Sequence, residues 1–338
     1  MSDAVKLGGL PATRPKGRNA GWFRPEYMLG LVLLVEIVCF QTCGRNFGTP
    51  DNVANMVRHS VEMGLLALAL LPVILTGGID LSVGSLMGLC AVVFGKFWRD
   101  AGWPWPVAAV ATLGCGALAG AFNATLITRL KLPPLIVTLG TYSLFRGLAE
   151  ALTRGTDAFT NFPADFLEWG AGHFAGLPVQ AWVFLGVSIG VGGLVEKTTF
   201  GRSFRAIGFS PEGARYAGLP VNARLRLVYV LAGTLAALAS LTYTARLGTA
   251  KADAGTGYEL VAITAVVLGG VSIFGGVGSV GGTLLGVAAL AVLNNGLGRV
   301  PATMSQASEL SGFLTGVLLL VALTGQRLVS WRRSRVGA

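Results

Sequence analysis

The sequence predicts an all-α polytopic membrane protein of about ten transmembrane helices, some of them broken at glycines. Three observations carry this. Of 338 residues, 53% are apolar and only 12% charged, against roughly 25% charged in an ordinary soluble domain. The apolar residues fall in long runs that hold few charges or none. Glycine occupies 49 positions, about double the usual ~7%.

The runs set the elements in order. A bilayer core of ~30 Å needs about 20 apolar residues in a helix. Residues 1–27 are Gly/Pro-rich and basic, with Lys6, Arg14, Lys16, Arg18 and Arg24. They do not read as a cleavable signal, which begins with an apolar stretch of about 7–15 residues. The first span is expected at Met28–Cys43, with one acid, Glu36. Met63–Gly95 carries only Asp80 and is too long for one span; Thr76-Gly77-Gly78 divides it. Trp105–Thr128, Pro134–Leu152 (with Arg146 and Glu150), Pro178–Val195 and Leu227–Ala245 follow. Leu260–Gly298 is uncharged and divided by the glycine-rich stretch 275–282, and Leu310–Gln326 closes the series. Either long run can hold a broken helix. The chain thus reads as a basic tail (1–27), a transmembrane domain (28–326) whose largest hydrophilic loop is 197–226, and a second basic tail (327–338).

Lys and Arg set the orientation. With the N-terminus cytoplasmic, 17 fall inside and 8 outside, so both termini are expected in the cytoplasm and residues 153–177 outside.

The net charge of +10 would suggest nucleic acid in a soluble protein. Here the basic residues lie between apolar runs, so they point to a lipid membrane and not to nucleic acid. Cys39, Cys43, Cys90 and Cys115 all sit inside apolar segments and read as packed small hydrophobes. With two histidines in the chain, no metal site is expected. Gly276-Val277-Gly278-Ser279-Val280-Gly281 matches G-x-G-x-x-G, but it lies between spans without the strand and acid that a dinucleotide fold requires. No P-loop motif and no nucleophile elbow occurs, so catalysis by this chain is not expected.

Two regions carry chemistry. In Gly77-Gly78-Ile79-Asp80-Leu81-Ser82 the glycine pair can end a helix. Asp80 then either caps the next helix or lines a pathway. Arg146 and Glu150 are four apart and can pair on one helical face; ionisable groups in spans are functional candidates. Gly84/Gly88, Gly116/Gly120 and Gly282/Gly286 have the small-xxx-small spacing of close helix contacts. In the loop, Ser210-Pro211-Glu212-Gly213-Ala214-Arg215-Tyr216-Ala217-Gly218-Leu219-Pro220 has full helix punctuation: Ser210 as N-cap, Pro211 at the first position, Gly218 as left-handed stop. The helix expected over 211–217 is too short to persist alone, so it docks on something.

Together these motifs resemble the permease subunits of bacterial ABC importers for monosaccharides, such as those for ribose, rhamnose and autoinducer 2. The resemblance rests on Gly77–Gly84, on Leu132-Pro133-Pro134-Leu135-Ile136-Val137-Thr138-Leu139-Gly140-Thr141 with Phe145-Arg146-Gly147, on Thr199-Phe200-Gly201-Arg202 leading to Ser210–Gly218, and on 268–286. It covers roughly residues 50–326. It implies an inner-membrane protein that binds no cofactor itself, with ATP hydrolysed by cytoplasmic ABC ATPase subunits. A second permease copy or paralogue and a periplasmic sugar-binding protein are the other implied partners. It makes 211–217 the coupling helix, with Ser210–Gly218 as its residues, and it makes Gly77, Gly78, Asp80, Ser82, Arg146 and Glu150 candidates for the pathway or gate. Gly213 departs from the pattern, where similar permeases tend to carry Ala. An ion-coupled secondary transporter is the alternative; it would rely on Glu36, Asp80 and Glu150 and leaves the capped loop helix unexplained. A membrane scaffold or enzyme is a third class, against which stand the broken spans and the missing chemistry.

Overall fold

The computed structural model describes residues 25–155, 158–300, 312–322 and 324. Most of the N-terminal tail, the C-terminal tail 327–338 and the ends of the last expected span lie outside the described residues. The helices are α1 (Pro25–Cys43), α2 (Pro50–Leu75), α3 (Val83–Gly95), α4 (Trp105–Thr128), α5 (Pro134–Leu152), α6 (Ala164–Ala171), α7 (Val179–Gly192), α8 (Thr199–Phe209), α9 (Pro211–Tyr216), α10 (Val221–Leu247), α11 (Tyr258–Leu268), α12 (Val280–Leu297) and α13 (Gly312–Ala322). Turns of π-helix extend α3 through Asp100 and α7 through Lys197. The described strands are a short antiparallel hairpin pairing His173 with Pro178 and Phe174 with Leu177.

The chain is an all-α polytopic membrane protein. Among the described residues seven helices are long and apolar enough to cross a bilayer: α1, α2, α4, α5, α7 with its π turn, α10 and α12. The other three expected spans fall on α3, α11 and α13, which are shorter apolar helices. Among the described residues the ten expected spans are thus seven long helices and three shorter apolar ones.

One boundary is corrected. The span expected to begin at Met63 begins at Pro50. The added turns are polar and are held by tertiary partners: Asn52 bonds Asn295 at 2.8 Å and Glu62 bonds Arg246 at 2.8 Å. Their hydropathy alone does not reveal a helix.

The core lies around α2, whose residues Val61 to Leu75 are all buried. Lipid offers no hydrophobic drive for helices to associate, so close backbone approach and dispersion hold them together. The expected small-xxx-small pairs are the contact points. A Cβ on Gly120 of α4 would lie 2.2 Å from the Tyr229 carbonyl oxygen of α10, and one on Gly286 of α12 2.0 Å from that of Ala265 of α11. At the end of α3, Phe94 stacks on Phe162 at 5.4 Å between centroids and meets Phe166 at 4.8 Å, which seats α6 on the bundle. Beyond it Asp100 takes bonds of 3.0 Å from Arg99 and Lys96, which hold its carboxyl below the usual range.

Candidate translocation and coupling site

The first break follows from local chemistry. Pro72 weakens the last turns of α2, and the helix closes in a Schellman motif. Gly77 has φ +80°; its N–H donates to Ile74 O at 2.9 Å and that of Gly78 to Val73 O at 3.1 Å. Asp80 does not cap α3. Ser82 stands at the cap position, with helical dihedrals and no side-chain cap bond. The reason is that Ser82 is bound backwards. Its N–H and Oγ–H both donate to Asp80 Oδ1, at 2.8 and 2.6 Å. Asn123 Nδ2 of α4 donates to Ser82 Oγ at 2.9 Å, and Thr138 Oγ1 of α5 donates to the Ile79 carbonyl at 3.0 Å. Asp80 is thereby a 3%-exposed carboxylate inside the bundle. Around it, Asn123 Oδ1 and the Tyr229 hydroxyl are buried with no hydrogen-bond partner among the described residues. A Cβ on Gly78 would lie 2.6 Å from that hydroxyl.

Arg146 and Glu150 do not pair. Arg146 Nη1 donates to the Ala252 carbonyl of the segment between α10 and α11, while Glu150 is exposed in the last turn of α5. A fixed backbone acceptor facing Arg146 outcompetes a mobile carboxylate one turn away. The segment lies along the glycine face of α3: a Cβ on Gly88 would lie 2.5 Å from Ala252 O, and one on Gly84 2.0 Å from Glu259 Oε2. Glu259 is 6% exposed, and its Oε2, like Arg146 Nη2, has no partner among the described residues. Sequence reading missed Glu259. The available signal was an acid opening an apolar run directly after the glycines at 255 and 257.

Ser210 Oγ accepts from Gly213 N–H at 3.0 Å and caps α9. At the other end Gly218 has φ +79°, with Gly218 N–H bonded to Arg215 O and Leu219 N–H to Ala214 O. The helix therefore ends at Tyr216, and Ala217, expected inside it, is the C-cap. Ala214 alone is buried, in a cluster with Ile207 and Val221. Pro211, Glu212, Gly213, Arg215, Ala217 and Gly218 are exposed, and Tyr216 is 92% exposed.

The second break, 269–279, separates α11 from α12. Ser279 caps α12, its Oγ accepting from Gly282 N–H at 3.0 Å, and Glu196 Oε1 accepts from Val280 N–H at 2.9 Å. Sequence reading did not show that the two breaks meet. Gly276 N–H donates to the Leu75 carbonyl at 2.9 Å. Gly208, in the last turn of α8, lies against both: its Cβ would stand 2.1 Å from Leu75 O and 2.3 Å from Gly276 N. A Cβ on Gly275 would stand 2.8 Å from both Gly208 Cα and Gly77 N. Arg205, one turn earlier on α8, donates to Gly278 O at 3.2 Å. The helix leading into α9 thus touches both broken spans through backbone atoms. Among the described residues no group of three or more His, Cys, Asp or Glu side chains is placed to hold a metal.

Buried carboxyl groups at Glu62, Asp80 and Glu259, two unwound segments and an exposed capped loop helix suit a protein that moves a solute across a membrane. Residues 52–323 match the family described as branched-chain amino acid transport system / permease component, and the chain belongs to it. It is similar to the autoinducer 2 import system permease protein LsrD of Escherichia coli strain K12, of E. coli O9:H4 strain HS and of Shigella flexneri. Each is 37% identical over 323 residues, with 94% of both chains covered. No solved structure matches.

Proposed function

We propose that this chain is the transmembrane permease of an ATP-driven importer that carries a monosaccharide or similar small sugar-like solute across the bacterial inner membrane. In this reading it works beside a second permease, identical or paralogous. Cytoplasmic ABC ATPase subunits dock on α9, and a periplasmic binding protein delivers the solute. The chain binds no cofactor; ATP is hydrolysed by the partner. Both termini are cytoplasmic, in keeping with the charge distribution of the loops. The near-full-length likeness to an autoinducer 2 import permease supports the solute class.

The observation that carries the coupling reading is the junction at Gly208. A helix of six residues cannot hold itself in water. It is anchored by Ala214 alone and offers its other residues to a partner. Any displacement of α9 reaches α8, and through Gly208 and Arg205 it reaches both breaks. The break at 76–82 then moves relative to Asn123 and Thr138, which hold it shut. Asp80, Ser82, Arg146 and Glu259 line or gate the pathway in this reading, and exposed Glu150 does not pair with Arg146.

The test is to express the tagged permease with its candidate ATPase and binding protein. Co-purification and sugar-stimulated ATP hydrolysis are expected. A permease that transports without an ATPase, driven by an ion gradient, refutes the reading.

A further inference from the structure

Away from the breaks, a cavity of about 420 Å³ opens between the first half of α2, the start of α11 and the end of α12. That volume is near the low end of the ~300–1,000 Å³ typical of small-molecule sites. It faces the end of α2 opposite the Gly208 junction.

Its wall is built from behind. Arg246 of α10 donates from Nε to Glu62 Oε1 at 2.8 Å, with the two side chains 9% and 0% exposed. Arg246 Nη1 stands 2.9 Å from His59 Nδ1. A guanidinium only donates, so Nδ1 accepts, and the imidazole proton of the neutral ring lies on Nε2. The buried pair therefore fixes His59 as an Nε2–H donor on a cavity wall. Beside it Ser60 Oγ donates its proton to Val57 O at 2.9 Å, which leaves its lone pairs to accept. Tyr258, held edge-on by Tyr243 at 6.4 Å between ring centroids, lines another wall, with Met56 and Met63 supplying apolar surface. Asn52 and Asn295 bond each other reciprocally at 2.8 and 3.2 Å and lock α2 to α12 there. Among the described residues no acid lines the cavity, Arg299 is one of its lining side chains, and the nearby Glu62 bonds Arg246.

An oriented neutral donor, a free acceptor, an aromatic ring and an apolar thioether surface match the hydroxyl edge and the C–H face of a sugar. We propose that this cavity is a binding site for a neutral polyhydroxylated solute of monosaccharide size, a station on the permease distinct from the polar break at Asp80. It rests on the importer reading only for its place in transport.

The test uses Ser60→Cys in a full-length chain whose Cys39, Cys43 and Cys115 are serine, with a water-soluble thiol reagent. Millimolar ribose, rhamnose or autoinducer 2 is expected to slow modification of the introduced thiol at least threefold. His59→Phe in the same background should remove protection, and His59→Gln, which can place an amide N–H near the Nε2 position, should keep it. Absence of protection by all three sugars overturns the site, as does protection unchanged by His59→Phe. Protection by ribose 5-phosphate alone overturns the neutral assignment in favour of an anion held by Arg299. ATPase co-purification is scored separately. Its failure strikes the importer reading and leaves a protected thiol as support for the site, whereas normal transport with an unprotected thiol strikes the site alone.

Discussion

The two breaks begin their following helices with the same tripeptide, Ser82-Val83-Gly84 and Ser279-Val280-Gly281, and only one of the two serines caps its helix. Ser279 caps α12 by accepting from Gly282 N–H. Ser82 gives both its protons to Asp80, accepts from Asn123 and caps nothing. The difference is one buried carboxylate two residues upstream. A carboxyl group inside the bundle needs hydrogen-bond donors, and Ser82 supplies two of them. At the second break Ser279 also gives its hydroxyl proton to a carboxylate, Glu26 Oε1 of α1 at 2.7 Å, but no acid two residues upstream captures its backbone N–H, so its lone pairs cap α12, and Glu196 adds a cap from α7's π turn. One break is thus a polar lock and the other a glycine hinge, joined where Gly276 bonds Leu75.

The largest expected effect breaks the joint itself. Gly208→Val places a branched side chain where a Cβ already falls 2.1 Å from Leu75 O, and overpacking of this kind costs about 1–3 kcal/mol. Sugar-stimulated hydrolysis should fall at least tenfold while the protein still inserts. Coupling that survives Gly208→Val would mean that the breaks move independently of α8.

Next, Ser82→Ala should destabilise more than Ser279→Ala. The first strips fully buried Asp80 and Asn123 of a partner, roughly 1–3 kcal/mol; the second loses an ordinary cap, about 1 kcal/mol, and a bond to the half-buried Glu26, which water can replace. Thermal unfolding of the two variants in detergent ranks them, and the reverse order would dissolve the distinction between lock and hinge.

Asp80→Asn keeps an acceptor for both Ser82 protons and removes the charge. Folded yield should be close to normal and uptake severalfold lower. Asp80→Ala orphans Ser82 N–H and should lower the yield as well. If Asp80→Asn transports normally, the carboxylate is structural.

Smaller still is the change at α9. The N–H of Gly213 bonds Ser210 in the first turn, so Gly213→Pro loses that cap, about 1 kcal/mol, rather than the ~3 kcal/mol of an interior proline. Weakened ATPase co-purification is expected. Gly213→Ala gains helix propensity but brings its Cβ to 3.0 Å from Ser210 Oγ, so docking should change little.

The smallest effect lies outside both breaks. Asp100 is 41% exposed, and its bonds to Arg99 and Lys96 depress its pKa. That contribution is present above the usual carboxylate range and is lost as pH falls through the depressed value. Asp100→Asn should cost less than about 0.5 kcal/mol in water-screened surroundings, with its effect on thermal stability vanishing at low pH.

The sequence by itself determined what neighbouring residues decide. Apolar runs, the stop at Gly77-Gly78 and the bracket of Ser210, Pro211 and Gly218 are written within a few positions, because hydropathy, left-handed glycines and caps act locally. Asp80 was legible as a charge at a break; that it would capture Ser82 and not cap α3 was not. Only the tertiary structure decided the partners. Glu62 and Arg246 are 184 positions apart, and their pairing keeps the polar half of α2 helical where hydropathy predicts none. Arg146 has a carboxylate one turn away and takes a carbonyl from a segment 106 residues on. Gly77 reads as a helix stop, and Gly208 and Gly276 as ordinary helix and loop glycines. Their shared role comes from backbones that approach closer than any side chain permits, a property of three-dimensional contact that one-dimensional spacing does not encode.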